Sequence, residues 1–122
     1  MTLVTKTLTL GVIMRKKIYI AGPMTGYPGL NWAAFDEAEQ YLMAEGWEVI
    51  NPASLDREEG IDPDRELGCY DYEECARRDI SALRSCDAIY LMRDWQFSKG
   101  ACWERALAAY WNIPRYYQIP RP

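Results

Sequence analysis

Four short apolar runs, rich in β-branched and aromatic residues, constrain this chain more than any other feature: KKIYIAGP at 16–23, WEVINP at 47–52, DAIYLM at 87–92 and PRYYQI at 114–119. Each reads as a strand, the first of them buried and closed by a turn at Gly22 and Pro23. Between them the period changes to that of a helix. Trp32, Phe35, Ala38 and Leu42 recur at helical spacing over 31–45, with Asn31 as the expected N-cap and Gly46 as the C-terminal glycine. Residues 71–85 and 98–112 read as further helices. The segment from Ala53 to Gly68 is charged, holds Gly60 and Pro63 and keeps no period, so it reads as a long loop of the kind that often forms a lid. Strands alternating with helices give an α/β fold: a doubly wound, mostly parallel sheet of about four to five strands with helices on both faces, a flavodoxin- or Rossmann-like three-layer sandwich. Ligands in such sheets sit beyond the carboxyl ends of the strands.

At 122 residues the chain is expected to form one domain over 14–122. Residues 1–13, MTLVTKTLTLGVI, alternate weakly and precede a second Met; they read as a flexible leader or as residues upstream of the true start, with an added edge strand as the alternative. The apolar runs are too short for a membrane span and no signal-peptide core stands at the start, so a cytoplasmic protein is expected. A net charge of −4 without a basic cluster argues against a groove for polymeric nucleic acid. Cys69, Cys75, Cys86 and Cys102 form no CxxC pair and there is no His, so neither a metal nor a cofactor is expected, and the thiols read as reduced and partly buried. Without His, acid and base work falls to carboxylates or Tyr.

Two carboxylates stand where they do not belong. On the last helix Glu104 shares a face with Ala101, Leu107, Ala108 and Trp111. On the preceding one Asp79 sits in the stripe of Tyr72, Ala76, Leu83 and Cys86. Burying a carboxylate alone costs several kcal/mol. Either acid alone is satisfied by solvent at the end of its stripe or by Arg77, Arg78 or Arg105. Together, near the crevice, they have the look of a catalytic pair for cleavage at an anomeric carbon, one attacking the sugar and the other protonating the leaving group. A hydrophobic setting for one and hydrogen bonds for the other would divide those roles.

The loop GPMTGYPG follows the first strand, and Gly22, Gly26 and Gly29 let backbone approach a ligand, although a plain strand-to-helix turn uses the same residues. It is neither a Walker loop nor a GxGxxG fingerprint. Asp94 and Trp95, after the third strand, are candidates for hydrogen bonding to and stacking on a base, beside the plainer roles of loop capping and packing. Asn51 ends the second strand, where it also suits the loop backbone. Asp87 reads as a strand start.

IYIAGPMTG, NPA, RDISALRSCDAIYLM and SKGACWE, in that order over Lys17 to Trp111, resemble the nucleoside 2-deoxyribosyltransferase superfamily, especially its small, often phage-borne branch. Its Ser-x-Gly-x-x-x-Glu signature is matched by Ser98, Gly100 and Glu104. The resemblance implies Glu104 as the nucleophile on C1′ of a deoxyribose, Asp79 as the acid assisting the base, and Tyr19 as the hydroxyl that holds the nucleophile. From the related deoxynucleoside 5′-monophosphate N-glycosidases it implies a phosphate grip by Gly22, Thr25, Gly26 and Ser98. Met24 and Thr25 replace a more basic loop of those glycosidases, and YYQIPRP does not match the C-terminal element with which the transferases complete a neighbour's pocket.

The implied activity is cleavage of the N-glycosidic bond of a 2′-deoxynucleoside or its 5′-monophosphate through a glycosyl ester on Glu104, as hydrolase or transferase, on a small-molecule substrate. The alternative is a catalytically silent nucleotide-binding or sensing module, disfavoured by Tyr19, Asp79 and Glu104 standing together; an electron carrier shares only the fold. The last helix also carries Cys102, Trp103, Ala106, Ala109 and Tyr110 away from Glu104. An apolar outer face of that kind predicts a homodimer or larger homo-oligomer.

Overall fold

A computed structural model describes residues 15–64 and 72–119, so the expected leader at 1–13 and the far end of the expected lid loop lie outside the described residues. Four strands, β1 (Lys17–Ala21), β2 (Glu48–Ile50), β3 (Ala88–Leu91) and β4 (Arg115–Tyr117), alternate with α1 (Trp32–Ala44), α2 (Pro52–Glu58), α3 (Tyr72–Arg84) and α4 (Lys99–Tyr110). They form one parallel sheet in the order β2-β1-β3-β4. This is the α/β sandwich expected from the alternation of periods.

Period-two alternation assigns each side chain of the central strands to a layer. Ile18 and Ile20 of β1, with Ala88, Tyr90 and Met92 of and beyond β3, meet Phe35, Ala38 and Leu42 of α1 on one face. Tyr19 and Ala21, with Ile89 and Leu91, meet Leu83 of α3 and Ala101 and Ala108 of α4 on the other. Tyr19 is therefore committed to the α4 side by its register alone. A third, smaller cluster of Leu30, Ile61 and Cys75 fills the space beside the carboxyl ends.

Three local expectations are corrected. Asn31 does not cap α1: it takes a left-handed conformation (φ 60°) and its side chain makes no capping bond. Gly29 and Leu30 share that conformation at φ 58° and 53°, so three successive residues turn left-handed before α1. Such backbone costs a non-glycine residue about 1 kcal/mol or more. Here burial of Leu30 in the third cluster and an Asn31 Nδ2 donation to the Pro23 carbonyl at 2.9 Å hold it. The expected loop from Ala53 onward instead begins as α2, with Pro at its first position and Asn51 as its cap. Finally, the free thiols expected throughout hold for Cys86 and Cys102, whereas Cys75 is disulfide-bonded.

Candidate functional site

The strand tyrosine meets one of the two misplaced carboxylates, and the other lies within electrostatic reach of both. Tyr19, fully buried on β1, donates its hydroxyl to Glu104 Oε2 at 2.6 Å. The short distance marks a bond to a strong acceptor. Glu104 lies one helical turn from Ala101 and Ala108, both buried against the sheet, which turns its carboxyl inward. On α3, Asp79 falls four residues after Cys75 and four before Leu83. Those neighbours belong to different clusters, the third and the second, so Asp79 occupies the seam between them.

The electrostatics follow from that burial. Loss of water pushes the Glu104 carboxyl up to about 8, with the Tyr19 bond pulling it down and the Asp79 charge raising it further. Burial also lifts Asp79 to about 6, opposed by Arg78 and supported by Asp56 and Glu59. Tyr19 is held well above its ordinary value, first by burial and then by Glu104 and Asp79. Two acids with separated proton affinities, one of them bonded to a buried hydroxyl, suit nucleophilic and acid chemistry at one centre. Loss of water thus raises both acids, Glu104 further than Asp79.

Of the three partners offered to these acids by the sequence, Arg78 is the one engaged. Its Nε donates to Asp79 Oδ1 at 2.9 Å. Arg77 pairs instead with Glu73 and Glu74 on the surface, and Arg105 stacks on Trp95 and donates to the Tyr117 hydroxyl at 2.9 Å.

The remaining candidates ring the carboxyl ends of the strands. Ser98 caps α4, its Oγ accepting from Ala101 N at 3.1 Å, and leaves the amides of Lys99 and Gly100 without carbonyls one turn back. A Cβ at Gly100 would meet nothing closer than Ser98 Oγ at 3.9 Å, so no packing demand of the fold calls for glycine there. At Gly22 the demand is internal: a Cβ would stand 2.8 Å from Met92 Sδ. Thr25 and Gly26 lie on an exposed turn, Gly26 at φ 89°. That turn borders a depression of about 410 Å³ with Pro63 and Asp64. Asp94 and Trp95 line another of about 340 Å³ with Tyr117 and Gln118. Neither is lined by Asp79 or Glu104.

Trp95 has the Arg105 guanidinium 5.0 Å from its ring centroid and the Tyr117 ring tilted against it at 5.9 Å. Asn51 is 3 % exposed. Its oxygen accepts from Ala53 N at 2.9 Å and its nitrogen donates to Asp36 at 3.1 Å and Glu39 at 2.9 Å, so its polar atoms serve the joint between α1 and α2. Asp87 sits at the opposite end of the sheet, accepting from Lys17 N at 2.9 Å. Asp56 and Glu59 were missed, because their segment reads as loop; the helix-start signal was Asn51-Pro52.

A family model described as a domain of unknown function (DUF4406) matches residues 16–116. No curated protein matches the chain in sequence. Among solved structures, a 2-deoxyribosyltransferase from the psychrotolerant bacterium Bacillus psychrosaccharolyticus is similar to it, with a TM-score of 0.59, 21 % identity, and coverage of 86 % of this chain and 77 % of that one. At that identity the likeness concerns the fold.

Proposed function

The chain belongs to the DUF4406 family, and from its deoxyribosyltransferase-like fold and the geometry of its two part-buried acids we propose that it cleaves the N-glycosidic bond of a 2′-deoxynucleoside or its 5′-monophosphate. The observation that carries this is the 2.6 Å bond from Tyr19 to Glu104, with Asp79 close enough to raise Glu104's proton affinity. Glu104 attacks C1′ as the carboxylate. As the C1′–O bond forms, the C1′–N bond breaks, its electron pair goes to the base nitrogen, and Asp79 supplies the proton that neutralises it. The products are free base, a glycosyl ester on Glu104 and an Asp79 carboxylate. Water, or the nitrogen of a second base, then attacks C1′, Asp79 takes back a proton, and Glu104 leaves as carboxylate.

Between about pH 6 and 8 the free pair carries one proton, and the productive arrangement places it on Asp79. The Tyr19 hydroxyl stabilises the Glu104 carboxylate in that arrangement by donating to it. The open space at Gly100 and the free first amides of α4 suit a phosphate or sugar oxygen beside Ser98. A second copy of the chain is the partner we assign to the outer face of α4, where Trp103 and Tyr110 are 65 % and 80 % exposed.

The test is to incubate the protein with each deoxynucleoside and deoxynucleoside monophosphate and follow free base. Wild type is expected to release base from at least one, and Glu104→Gln, nearly isosteric but unable to form the ester, to fall by several orders of magnitude. A variant retaining a tenth of wild-type turnover removes Glu104 as nucleophile.

A further inference from the structure

Tandem arginines precede Asp79, and the structure uses them differently. Arg77 pairs with Glu73 and Glu74, the surface pairing that helix spacing provides. Arg78 is mostly buried, its side chain 18 % exposed, and it reaches off its helix to α2. It donates to Asp56 Oδ1 at 2.7 Å and lies 3.1 Å from Glu59 Oε2. It also donates to its chain neighbour Asp79. Adjacent residues on a helix do not face each other, so the guanidinium must be folded across Asp79. Asp56, a carboxylate only 4 % exposed, is the anchor that keeps it there.

We propose that Arg78 is the positioning residue of the acid: anchored by Asp56 and Glu59, its guanidinium fixes the Asp79 carboxyl beside Glu104 and governs how readily it gives up its proton. This rests on the donor role given to Asp79 above. Among the described residues, the groups acting on Asp79 or coupled to it are Arg78 from its own helix, Asp56 of α2, Glu59 at the end of α2, Glu104 from α4 and Tyr19 from β1. Of these only Arg78 is cationic. It strengthens an acid that burial and the α2 carboxylates would otherwise weaken.

The experiment is a carboxyl-carbon NMR titration of protein labelled at aspartate, in a Glu104→Gln background so that the partner acid does not titrate, with the Asp79 signal assigned by its loss in Asp79→Asn. Arg78→Met should raise the Asp79 midpoint by about one to three units, the effect of removing an opposite charge in contact. Asp56→Asn should lower it, because the amide oxygen can still accept from the guanidinium, which Glu59 also holds, while a negative charge is removed. Arg78→Lys keeps the charge without the planar fork and should fall between wild type and Arg78→Met. A role in folding alone does not generate shifts of opposite sign. An unchanged midpoint in folded Arg78→Met overturns the proposal, and if that variant does not fold, an unchanged midpoint in Asp56→Asn overturns it. The midpoints are read without substrate, whereas the reaction is judged by base release from wild type, so the two fail separately.

Discussion

At the scale of single residues, the pair of acids ties activity and stability to pH in opposite ways. If the singly protonated pair is the working form, kcat/KM should trace a bell with limbs near 6 and 8, values that belong to the pair rather than to either acid. A profile that is flat from pH 5 to 9 would remove the two-acid mechanism. Stability carries the complementary sign. The folded-state value of Glu104 lies above its ordinary 4.5, so the folded protein binds that proton more tightly than the unfolded chain and loses stability as pH rises from about 4.5 through about 8. Glu104→Gln has no proton to lose and still offers an oxygen to Tyr19. Its urea midpoint should exceed wild type's at pH 8.5, with the advantage shrinking toward pH 5; an equal difference at both pH values would show that burial of the charge is not the cause.

At the scale of elements, α4 carries both the inward acid and a capped N-terminus with glycine in its first turn. Glycine there costs the helix up to about 1 kcal/mol relative to alanine, with no packing neighbour to require it. Ser98→Ala should lower unfolding free energy by about 1 kcal/mol through loss of the bond to Ala101. If the substrate is a monophosphate, the same change should raise KM for the nucleotide several-fold and leave the free nucleoside nearly untouched. Equal losses on both would limit Ser98 to its helix. The turn before α1 illustrates the reverse case, in which an element's ending is decided from outside: Asn31 looks like a cap, yet the third cluster draws in Leu30 and the chain turns left-handed to deliver it.

At the scale of the whole molecule, α4 is apolar on both sides. Its inner face is spent on the sheet, while Trp103 and Tyr110 point outward with Phe97, which is 83 % exposed. A second copy packing on this surface should give at least a dimer at micromolar concentration in sedimentation. Trp103→Glu should split it, since an unpaired charge in an apolar contact is costly, and base release should drop with assembly. A monomeric wild type would refute the dimer. Within the described residues no helix is long and apolar enough to cross a membrane.

Much of the fold was legible because periodicity is a local property. The four strands, α1, α3, α4, the capping Ser98 and the two acids on apolar faces are readable one segment at a time, and the alternation of periods gives the parallel sheet. The candidate site was legible in part for the same reason: a carboxylate on an apolar stripe is an anomaly visible in sequence. Three things were settled only by tertiary structure, because each depends on groups far apart in the chain. The register of β1 against α4 brings Tyr19 to Glu104 across 85 residues of sequence. The close approach of β3 fixes Gly22 against Met92. The fold of α2 over α3 delivers Asp56 and Glu59 to Arg78. Proton affinity belongs with these: the sequence named both acids, but their order depends on how much water each loses and which charge each keeps, and those are properties of the packed molecule.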